Sequence, residues 1–327
     1  MKKPISIAVW SVGNHAIKNT LPALSETDSL VLRGIYTRNT GVIQSQTGKY
    51  GIYAYGSVAE ILGDPDLDAI YIASPVGIHY EQVKAALLAN KHVIVEKSSF
   101  ATIEQAEEII ELARSRGLVL MEAFMYRFHQ QFIKLEHLVQ SRAYGRIRRI
   151  VASFGFPHLP ASDIRYRADL GGSALLDAGA YTISAINQLF LHEAMVVYGS
   201  QFTDAGFDVD TRGLAVIHGP ADVIGIASWC FGADYKNEIE VWCEHAGLLA
   251  RRIFSKPGDL ETSIEIYRNG ALDSKIVCQP MNHFTAMFAY FARCLTDRTL
   301  MDTEYNNIEQ QMRLCVSVRD KASKQQF

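Results

Sequence analysis

The chain has 327 residues, of which 48% are apolar and 20% charged, and its formal net charge at pH 7 is −3. That balance excludes an intrinsically disordered chain, and the length allows a sizeable buried core, most simply divided into two domains. The small net charge gives no electrostatic reason to expect nucleic acid or a membrane surface as a partner, and no apolar run reaches the roughly 18 residues that cross a bilayer.

The first 125 residues alternate strand-like and helix-like segments. The predicted strands are Ile5–Trp10, Val31–Tyr36, Ala69–Ala73, His92–Val95 and Leu118–Met121, and the predicted helices are Asn14–Leu24, His79–Asn90 and Ile103–Arg116. Strands that are apolar on both faces and separated by helices indicate a parallel sheet covered on both sides. The sequence therefore predicts the α/β class, with a dinucleotide-binding Rossmann domain, a doubly wound parallel sheet, over residues 1–124.

After about residue 145, strands follow one another. They are predicted over Arg148–Phe156, Ala194–Phe202, Leu214–His218, Val223–Phe231, Glu238–Cys243, Leu248–Phe254, Thr262–Tyr267 and Ser274–Cys278, with helices over Ser173–Phe190, Asn282–Thr296 and Glu304–Lys321. This pattern predicts a second α/β domain over residues 125–327, for substrate binding and oligomerisation, with an open and mostly antiparallel sheet. A face such as Val223–Phe231, with Trp229 and Phe231, would expose a large apolar patch, so we expect a homodimer or tetramer formed through this sheet.

The five cysteines lie in the second half of the chain, and none belongs to a C-x-x-C pair. An odd number without paired spacing is typical of reduced core cysteines rather than of a disulfide framework or a zinc site. The apolar stretch after Lys3 is too short for a signal peptide. We therefore expect a cytoplasmic protein without a bound metal.

The first predicted strand runs into Ser11-Val12-Gly13-Asn14-His15 and then Ala16. This is the frame of the dinucleotide-binding pattern G-x-G-x-x-G/A, with serine in place of the first glycine. Its position between a strand and a helix favours a cofactor-binding turn formed by Ser11, Val12, Gly13, Asn14 and His15. The alternative is a chance glycine after a hydrophobic run.

The loop after the second predicted strand contains Thr37 and Arg38, and no acidic residue occurs from Ser29 to Gln46. NAD-binding folds usually place an Asp or Glu here to hold the ribose 2′-hydroxyl. A guanidinium can instead grip a 2′-phosphate with paired hydrogen bonds. NADP is therefore the preferred cofactor, with NAD possible, unless Arg38 is an ordinary surface arginine.

Three stretches, "ASPVGIHYEQVKAALLANKHVIVEKS" (73–98), "MEAFMYRFH" (121–129) and "RYRADLGGSALLDAGAY" (165–181), resemble the Gfo/Idh/MocA oxidoreductase family, in the branch of dihydrodiol and xylose dehydrogenases and sugar ketoreductases. The resemblance implies hydride transfer between NAD(P) and a sugar or related polyol. The family's E-K-P motif falls on Glu96-Lys97-Ser98, and its D-x-G-x-H/Y motif ends at Tyr181. Ser98 replaces a proline that is often associated with a cis peptide, and Lys97 and Tyr181 are the implied acid–base candidates.

Reduction of a ketone requires a positioned acid beside the carbonyl oxygen. Our hypothesis is that Tyr181 donates the proton, Lys97 polarises the carbonyl and Asp177 orients the substrate hydroxyls, with the order of the two donors left open. Asp177 and Tyr181 are four residues apart and so share a helix face. Asp177 could instead bind backbone near its helix start, and Tyr181 could be a core tyrosine.

The remaining site predictions follow from the same motifs and the segment between them. Cofactor contacts are expected from Ser74, Pro75, His79, Glu96 and Lys97, and substrate contacts from Lys97, Tyr126, Phe156, Arg165, Asp177 and Tyr181. Arg167 and its neighbours could reach an anionic group or be surface charge.

The predicted function is an NADP-dependent oxidoreductase acting on a sugar, a keto-sugar or a small cyclic diol. The alternatives are an oxidoreductase that cycles a tightly bound cofactor between two substrates and a regulatory protein that binds NADP without catalysis. The joint presence of Lys97, Asp177 and Tyr181 favours an enzyme. The sequence motifs are compatible with both free and nucleotide-linked sugars as substrates.

Overall fold

A computed structural model describes residues 4–326. The chain divides into two compact units. The first comprises the chain up to Phe124 together with Phe284–Glu309, and the second comprises Met125–His283 together with the chain from Gln310 onward.

The first unit contains a parallel sheet with the strand order β3-β2-β1-β4-β5-β6, counted within residues 4–326. Its strands are β1 (Ile5–Trp10), β2 (Leu30–Tyr36), β3 (Tyr53–Ala54), β4 (Ala69–Ile72), β5 (His92–Val95) and β6 (Leu120–Glu122). This is the strand order of a dinucleotide-binding Rossmann fold, with the reversal of order between β1 and β4. The predicted doubly wound sheet is confirmed.

The helices of this unit alternate with its strands along the chain. They are α1 (Leu21–Ser25), which follows a π-helical segment over Ala16–Thr20, α2 (Thr40–Tyr50), α3 (Val58–Gly63), α4 (His79–Leu88) and α5 (Ile103–Arg116). The sequence pattern did not predict α2, because that helix buries only Gln46 and has no apolar stripe. Its local signals are instead the Asn39 side chain, which accepts from the Val42 N–H at 3.2 Å, and Gly51 in a left-handed conformation at its end.

Residues 284–309 belong to the first unit, although the predicted second domain included them. They comprise most of α8 (His283–Cys294) and the first part of α9 (Arg298–Lys321). The Phe288 ring lies 5.6 Å from that of Tyr71, and the Tyr305 hydroxyl donates to the Leu118 carbonyl. The boundary differs from the sequence expectation because these contacts join residues that are distant in the chain.

The second unit is built on a sheet of order β14-β13-β12-β11-β7-β10-β9-β8-β15 in the described chain. Its strands are β7 (Ile147–Phe156), β8 (Met195–Thr203), β9 (Arg212–His218), β10 (Ile224–Phe231), β11 (Lys236–Cys243), β12 (Gly247–Arg251), β13 (Thr262–Arg268), β14 (Ala271–Cys278) and β15 (Ala322–Gln326). Most pairs are antiparallel, and β7–β10 and β8–β15 are parallel. The predicted open, mostly antiparallel sheet is confirmed.

Two helices of the second unit precede and follow β7: α6 (Gln130–Gln140) and α7 (Ala180–Leu189). A π-helical segment over Leu175–Gly179 leads into α7. Gly179 allows a close approach, since a Cβ atom there would lie 2.8 Å from the Trp229 ring. Trp229 and Phe231 are both buried, which corrects the expectation that they form an exposed apolar face of the sheet.

Among residues 4–326, no helix combines the length and the apolar character that crossing a bilayer requires. None of the five cysteines forms a disulfide, and all five lie in this part of the chain.

Candidate active site

The turn after β1 has the geometry of a phosphate-binding turn. Ser11 has φ of 73°, a left-handed conformation that favours glycine, and its N–H donates to the Tyr36 carbonyl at 2.8 Å. A Cβ atom added to Gly13 would meet nothing within 4 Å, so open space lies over that residue. Val12 and Ala16 are buried under the turn. These residues fit a dinucleotide whose phosphates approach the backbone at Gly13 and the start of the following helix.

The loop after β2 presents the group expected to recognise a 2′-phosphate. Thr37 is half-buried, and Arg38 is exposed between the end of β2 and the beginning of α2. Asn39, which caps α2, is exposed beside it. The position leaves the Arg38 guanidinium accessible to an anion, as the NADP prediction requires.

Glu96, at the end of β5, is the centre of a polar network. Its Oε1 atom lies 3.1 Å from His15 Nε2 and accepts a hydrogen bond from the Tyr71 hydroxyl, and its Oε2 atom accepts from the Lys97 backbone N–H at 3.3 Å. Burial acts to raise the pKa of Glu96, but His15, the Tyr71 hydroxyl and the Lys97 charge outweigh it and lower that pKa to about 2. Tyr71 was not predicted as a site residue, because it sits inside an apolar strand.

His79 joins the loops that follow β4 and β5. Its Nε2 atom lies 2.6 Å from the Ser74 carbonyl, and its Nδ1 atom lies 3.1 Å from the carbonyls of Ser98 and Ser99. The ring is fully buried, and burial lowers its pKa. Since both nitrogens face backbone within the protein, His79 positions these loops; the predicted direct cofactor contact does not fit its place.

Ser74 and Pro75 lie in the loop that His79 holds. The Ser74 hydroxyl donates to Gln82 Oε1 at 2.6 Å, and Pro75 precedes the 3₁₀ turn Val76–Ile78. Both residues therefore lie just beyond the carboxyl end of β4, where open α/β sheets bind their ligands.

Lys97 follows the carboxyl end of β5 and is half-buried. The Lys97–Ser98 peptide bond is cis although residue 98 is not proline. One residue further, the Ser99 N–H donates to the buried Glu122 carboxylate at 2.7 Å. The lysine is thus carried by a loop with side-chain anchors on both sides, Glu96 before it and Glu122 after it.

In the second unit, Asp177 lies in the π-helical segment and forms an ion pair with Arg165. Arg165 Nε is 2.8 Å from Asp177 Oδ2, and Arg165 Nη1 is 3.1 Å from Asp163 Oδ1. The charge of Asp177 is the main cause that raises the pKa of Arg165. Gly172 packs closely here, since a Cβ atom would lie 2.6 Å from the Arg165 carbonyl. Asp177 thus holds the Arg165 side chain in place.

Arg167 has a different environment from Arg165. Its guanidinium pairs with Asp169, and both side chains are more than half exposed. Such a pair is solvated surface charge, which favours the interpretation of Arg167 as a surface residue over a contact with an anionic group.

Tyr181, the second residue of α7, is 5% exposed and surrounded by aromatic rings. Its hydroxyl lies 3.4 Å from Met125 Sδ, and its ring is 5.4 Å from that of Phe154 and 5.8 Å from that of Phe254. A thioether is a weak acceptor, so this contact does not tie the phenol strongly.

Tyr126 and Phe156 occupy different environments. Tyr126 is fully buried, and its hydroxyl donates to Ser184 Oγ at 2.8 Å. It is therefore a core residue beside Tyr181 rather than a substrate contact, which revises its predicted role. Phe156, at the end of β7, is half-buried and lies 5.0 Å from the Phe231 ring.

Asp210 was also missed by the sequence analysis. It accepts from the Ser173 hydroxyl at 2.5 Å and from the Leu175 N–H at 2.8 Å, and burial raises its pKa. It thereby fixes the start of the helical segment that carries Asp177 and Tyr181. No local motif marks it, since its partners lie more than thirty positions earlier.

Across the described chain, no three or more His, Cys, Asp or Glu side chains are arranged to hold a metal ion.

Comparison with known proteins matches both halves of the chain. A family model described as an oxidoreductase family with an NAD-binding Rossmann fold matches residues 5–124, and one described as a GFO/IDH/MocA C-terminal domain matches residues 132–249. Together these matches cover well over half of the sequence.

Similar individual proteins are oxidoreductases with sugar substrates in their names. One is dTDP-3,4-didehydro-2,6-dideoxy-alpha-D-glucose 3-reductase of Saccharopolyspora spinosa, 30% identical over 84% of this chain and 82% of that protein. Another is D-xylose 1-dehydrogenase (NADP(+)) 2 of Haloferax volcanii, 35% identical over 60% of each. A similar solved structure is KijD10, a 3-ketoreductase from Actinomadura kijaniata in complex with NADP and TDP-benzene, with a TM-score of 0.94 and 28% identity over 99% of this chain and 100% of that one.

Proposed function

This chain belongs to the Gfo/Idh/MocA oxidoreductase family, and from that premise we propose that it is an NADP-dependent reductase of a keto-sugar carried on a nucleotide. The family resemblance predicted from the motifs is thereby confirmed. The observation that carries the cofactor assignment is the open turn at Gly13 together with the exposed Arg38 after β2. NADP in the similar KijD10 structure supports the same choice.

The preference for a nucleotide-linked keto-sugar has two supports. The dTDP-sugar reductase matches over 84% of this chain, and two xylose dehydrogenases match over 60% and 78%. Arg165 has a half-buried guanidinium, and the N–H groups that do not donate to Asp177 and Asp163 can bind phosphate oxygens. Oxidation of a free sugar such as xylose is the second candidate.

Bound NADPH supplies the hydride, and the protein must supply a proton to the carbonyl oxygen. Tyr181 donates this proton from its phenol, and Lys97 polarises the carbonyl oxygen through its ammonium group. Asp177, with Arg165 held beside it, orients the polar groups of the substrate. An exchange of the donor roles of Lys97 and Tyr181 is the alternative assignment.

We also propose that the chain forms a homo-oligomer through the outer face of the sheet in the second unit. Exposed apolar side chains on its strands include Leu214, Ile224, Trp242 and Val277. Isolated apolar residues are normal on surfaces, but several on one sheet face indicate an interface. Light scattering that detects only monomer at micromolar concentration would reject the proposed homo-oligomer.

A cytoplasmic location of the protein also stays a prediction.

The test of the function starts with cofactor binding, measured by fluorescence titration with NADPH and with NADH. Arg38→Ala should weaken NADPH binding by about 10- to 100-fold, the loss of a charge-assisted phosphate contact, and leave NADH binding almost unchanged. Lys49→Ala is the matched control, because it removes an exposed cation from the same α2 region. Equal effects of the two variants on NADPH would contradict the assignment of Arg38.

The second step is turnover on TDP-linked 3-keto sugars and on free aldoses. Reduction of the nucleotide-linked ketone is expected. Oxidation of free sugars alone would favour the xylose-dehydrogenase alternative. NADP binding without turnover of either class would favour the regulatory protein, and turnover without exchange of bound cofactor would favour the enzyme that cycles a tightly held cofactor.

A further inference from the structure

Glu96 connects two parts of the proposed cofactor site that are far apart in sequence. One of its carboxylate oxygens is contacted by His15, which lies in the turn after β1, and the other accepts from the backbone of Lys97. The same carboxylate also receives the Tyr71 hydroxyl from the end of β4. The phosphate-binding turn and the loop that carries the lysine therefore share one acceptor.

The hydrogen-bond donors around Glu96 determine the charge of its carboxylate and influence the charge of His15. A buried carboxylate that accepts several hydrogen bonds stays ionised, and its negative charge favours the protonated imidazole of His15. The other ring nitrogen, Nδ1, lies 3.3 Å from Asn19 Nδ2. The amide N–H of Asn19 donates to Nδ1 in the neutral ring, and in the protonated ring the amide must turn over so that its oxygen accepts from Nδ1. His15 is thus placed to act on a phosphate by its charge, at the start of a helix that already favours anions.

The returning helix α8 covers the network. Phe284 lies 5.6 Å from the His15 ring and Phe288 lies 5.6 Å from the Tyr71 ring, and four residues of spacing put both on one helix face. Tyr71 and Lys97 are the other titratable groups that face Glu96 from β4 and β5. Apolar cover on this side shields the Glu96 carboxylate, which is 14% exposed, and strengthens its attraction to His15, whose side chain stays 46% exposed.

We propose that Glu96 is a positioning residue that couples cofactor binding to the lysine loop. Through His15 it maintains a positive charge at the phosphate-binding turn, and through the Lys97 backbone it holds the loop from which that lysine acts. This inference rests on the proposed function, because it requires NADP to bind at that turn. It also predicts that cofactor affinity depends on pH.

The experiment is a fluorescence titration of the full-length protein with NADPH between pH 6 and 9. For the wild type, affinity should fall about tenfold as His15 loses its proton, the size of a helix-terminus charge effect in a partly buried site. His15→Asn should bind about tenfold more weakly at pH 6 and show no pH dependence. Glu96→Gln should move the wild-type transition to lower pH.

Tyr71→Phe is the matched control for the charge pair, because it removes one hydrogen bond to Glu96 and leaves both ionic partners. Its titration should keep the pH dependence of the wild type. In steady-state kinetics the effect of His15→Asn should fall on the KM for NADPH, whereas Glu96→Gln should also lower kcat. Thermal unfolding without cofactor checks that each variant is folded. If Glu96→Gln does not fold, His15→Asn still tests the proposal, because the His15 side chain is half-exposed.

Two results would overturn the inference: wild-type affinity that is constant from pH 6 to 9, or a His15→Asn protein as pH-dependent as the wild type. In either case NADPH still binds and the proposed function stands. Absence of NADPH binding to the wild type is a separate outcome, which overturns the proposed function together with this inference.

Discussion

Arg165 and Asp177 form an ion pair in which Arg165 Nε lies 2.8 Å from Asp177 Oδ2, and Asp163 binds the same guanidinium. Sequence reasoning treated Asp177 as a ligand for substrate hydroxyls and Arg165 as an independent contact. The ion pair couples the two side chains, because the Asp177 carboxylate orients the Arg165 guanidinium.

Asp177→Asn should therefore lower kcat/KM for the sugar about 10- to 100-fold, mainly through KM, while the KM for NADPH stays within about threefold. The neutral amide no longer compensates the half-buried Arg165 charge. Steady-state kinetics with each substrate varied in turn measures both values. Asp169→Asn is the matched control, since it makes the same change in the exposed pair with Arg167 and should alter kcat/KM by less than about twofold. Equal losses in the two variants would show that the Arg165 pair has no special role.

Tyr181→Phe should reduce kcat by at least about 100-fold, because the phenol is the proposed proton donor. Its effect on folding should be small, since the Met125 thioether that the hydroxyl contacts is a weak acceptor. Tyr126→Phe removes a hydroxyl from the neighbouring ring, 6.0 Å away, and serves as the control. That variant loses a buried hydrogen bond and about 1 kcal/mol of unfolding free energy, with far less loss of kcat. Comparable kcat values for both variants would transfer the donor role to Lys97.

Lys97→Met should abolish most turnover, by about 100-fold or more, and keep NADPH binding within about threefold. The reason is that the ammonium acts on the carbonyl, while the turn at Gly13 and Arg38 provides the cofactor contacts. Lys84→Met, which removes a cation paired with Glu108 on the outside of α4, is the control. Full turnover after Lys97→Met would remove this lysine from the mechanism and support the regulatory alternative.

Lys256 makes the stability of the second unit dependent on pH. It is 8% exposed, its ammonium donates to the Ile253 carbonyl at 3.0 Å, and burial lowers its pKa to about 7. Between pH 7 and the ordinary lysine pKa near ~10.4, the unfolded chain binds a proton that the folded chain has released, so the free energy of unfolding rises with pH. Below pH 7 both states are protonated, and the folded state carries the full cost of a buried charge.

Lys256→Met should therefore be more stable than the wild type at pH 6, by on the order of 2–4 kcal/mol, and the difference should shrink as the pH rises toward 10. Thermal unfolding at a series of pH values measures it. Lys236→Met, at an exposed lysine beside Glu238, is the control and should show no such convergence. A constant difference between Lys256→Met and the wild type across this range would mean that Lys256 stays charged when buried.

Local sequence patterns were sufficient to predict most of the individual helices and strands. The apolar run Ile5–Trp10, the turn to Gly13 and the helix Ile103–Arg116 with its final Gly117 all coincide with structural elements, because each is specified by neighbouring residues. The helix Thr40–Tyr50 was missed for the converse reason: it has little apolar surface to bury and so no periodic signal.

The sequence by itself determined the family motifs, the order of the strands along the chain and the candidate residues Lys97, Asp177 and Tyr181, because each of these depends on residues that are neighbours in the chain. Only the tertiary structure decided which of them meet other groups. His15, Tyr71 and Glu96 come together because β1, β4 and β5 are neighbours whose carboxyl ends share one edge of the sheet. Phe284 and Phe288 reach that edge from the far end of the chain. Such contacts depend on how strands pair and helices return, and the local periodicity of a sequence carries no record of either.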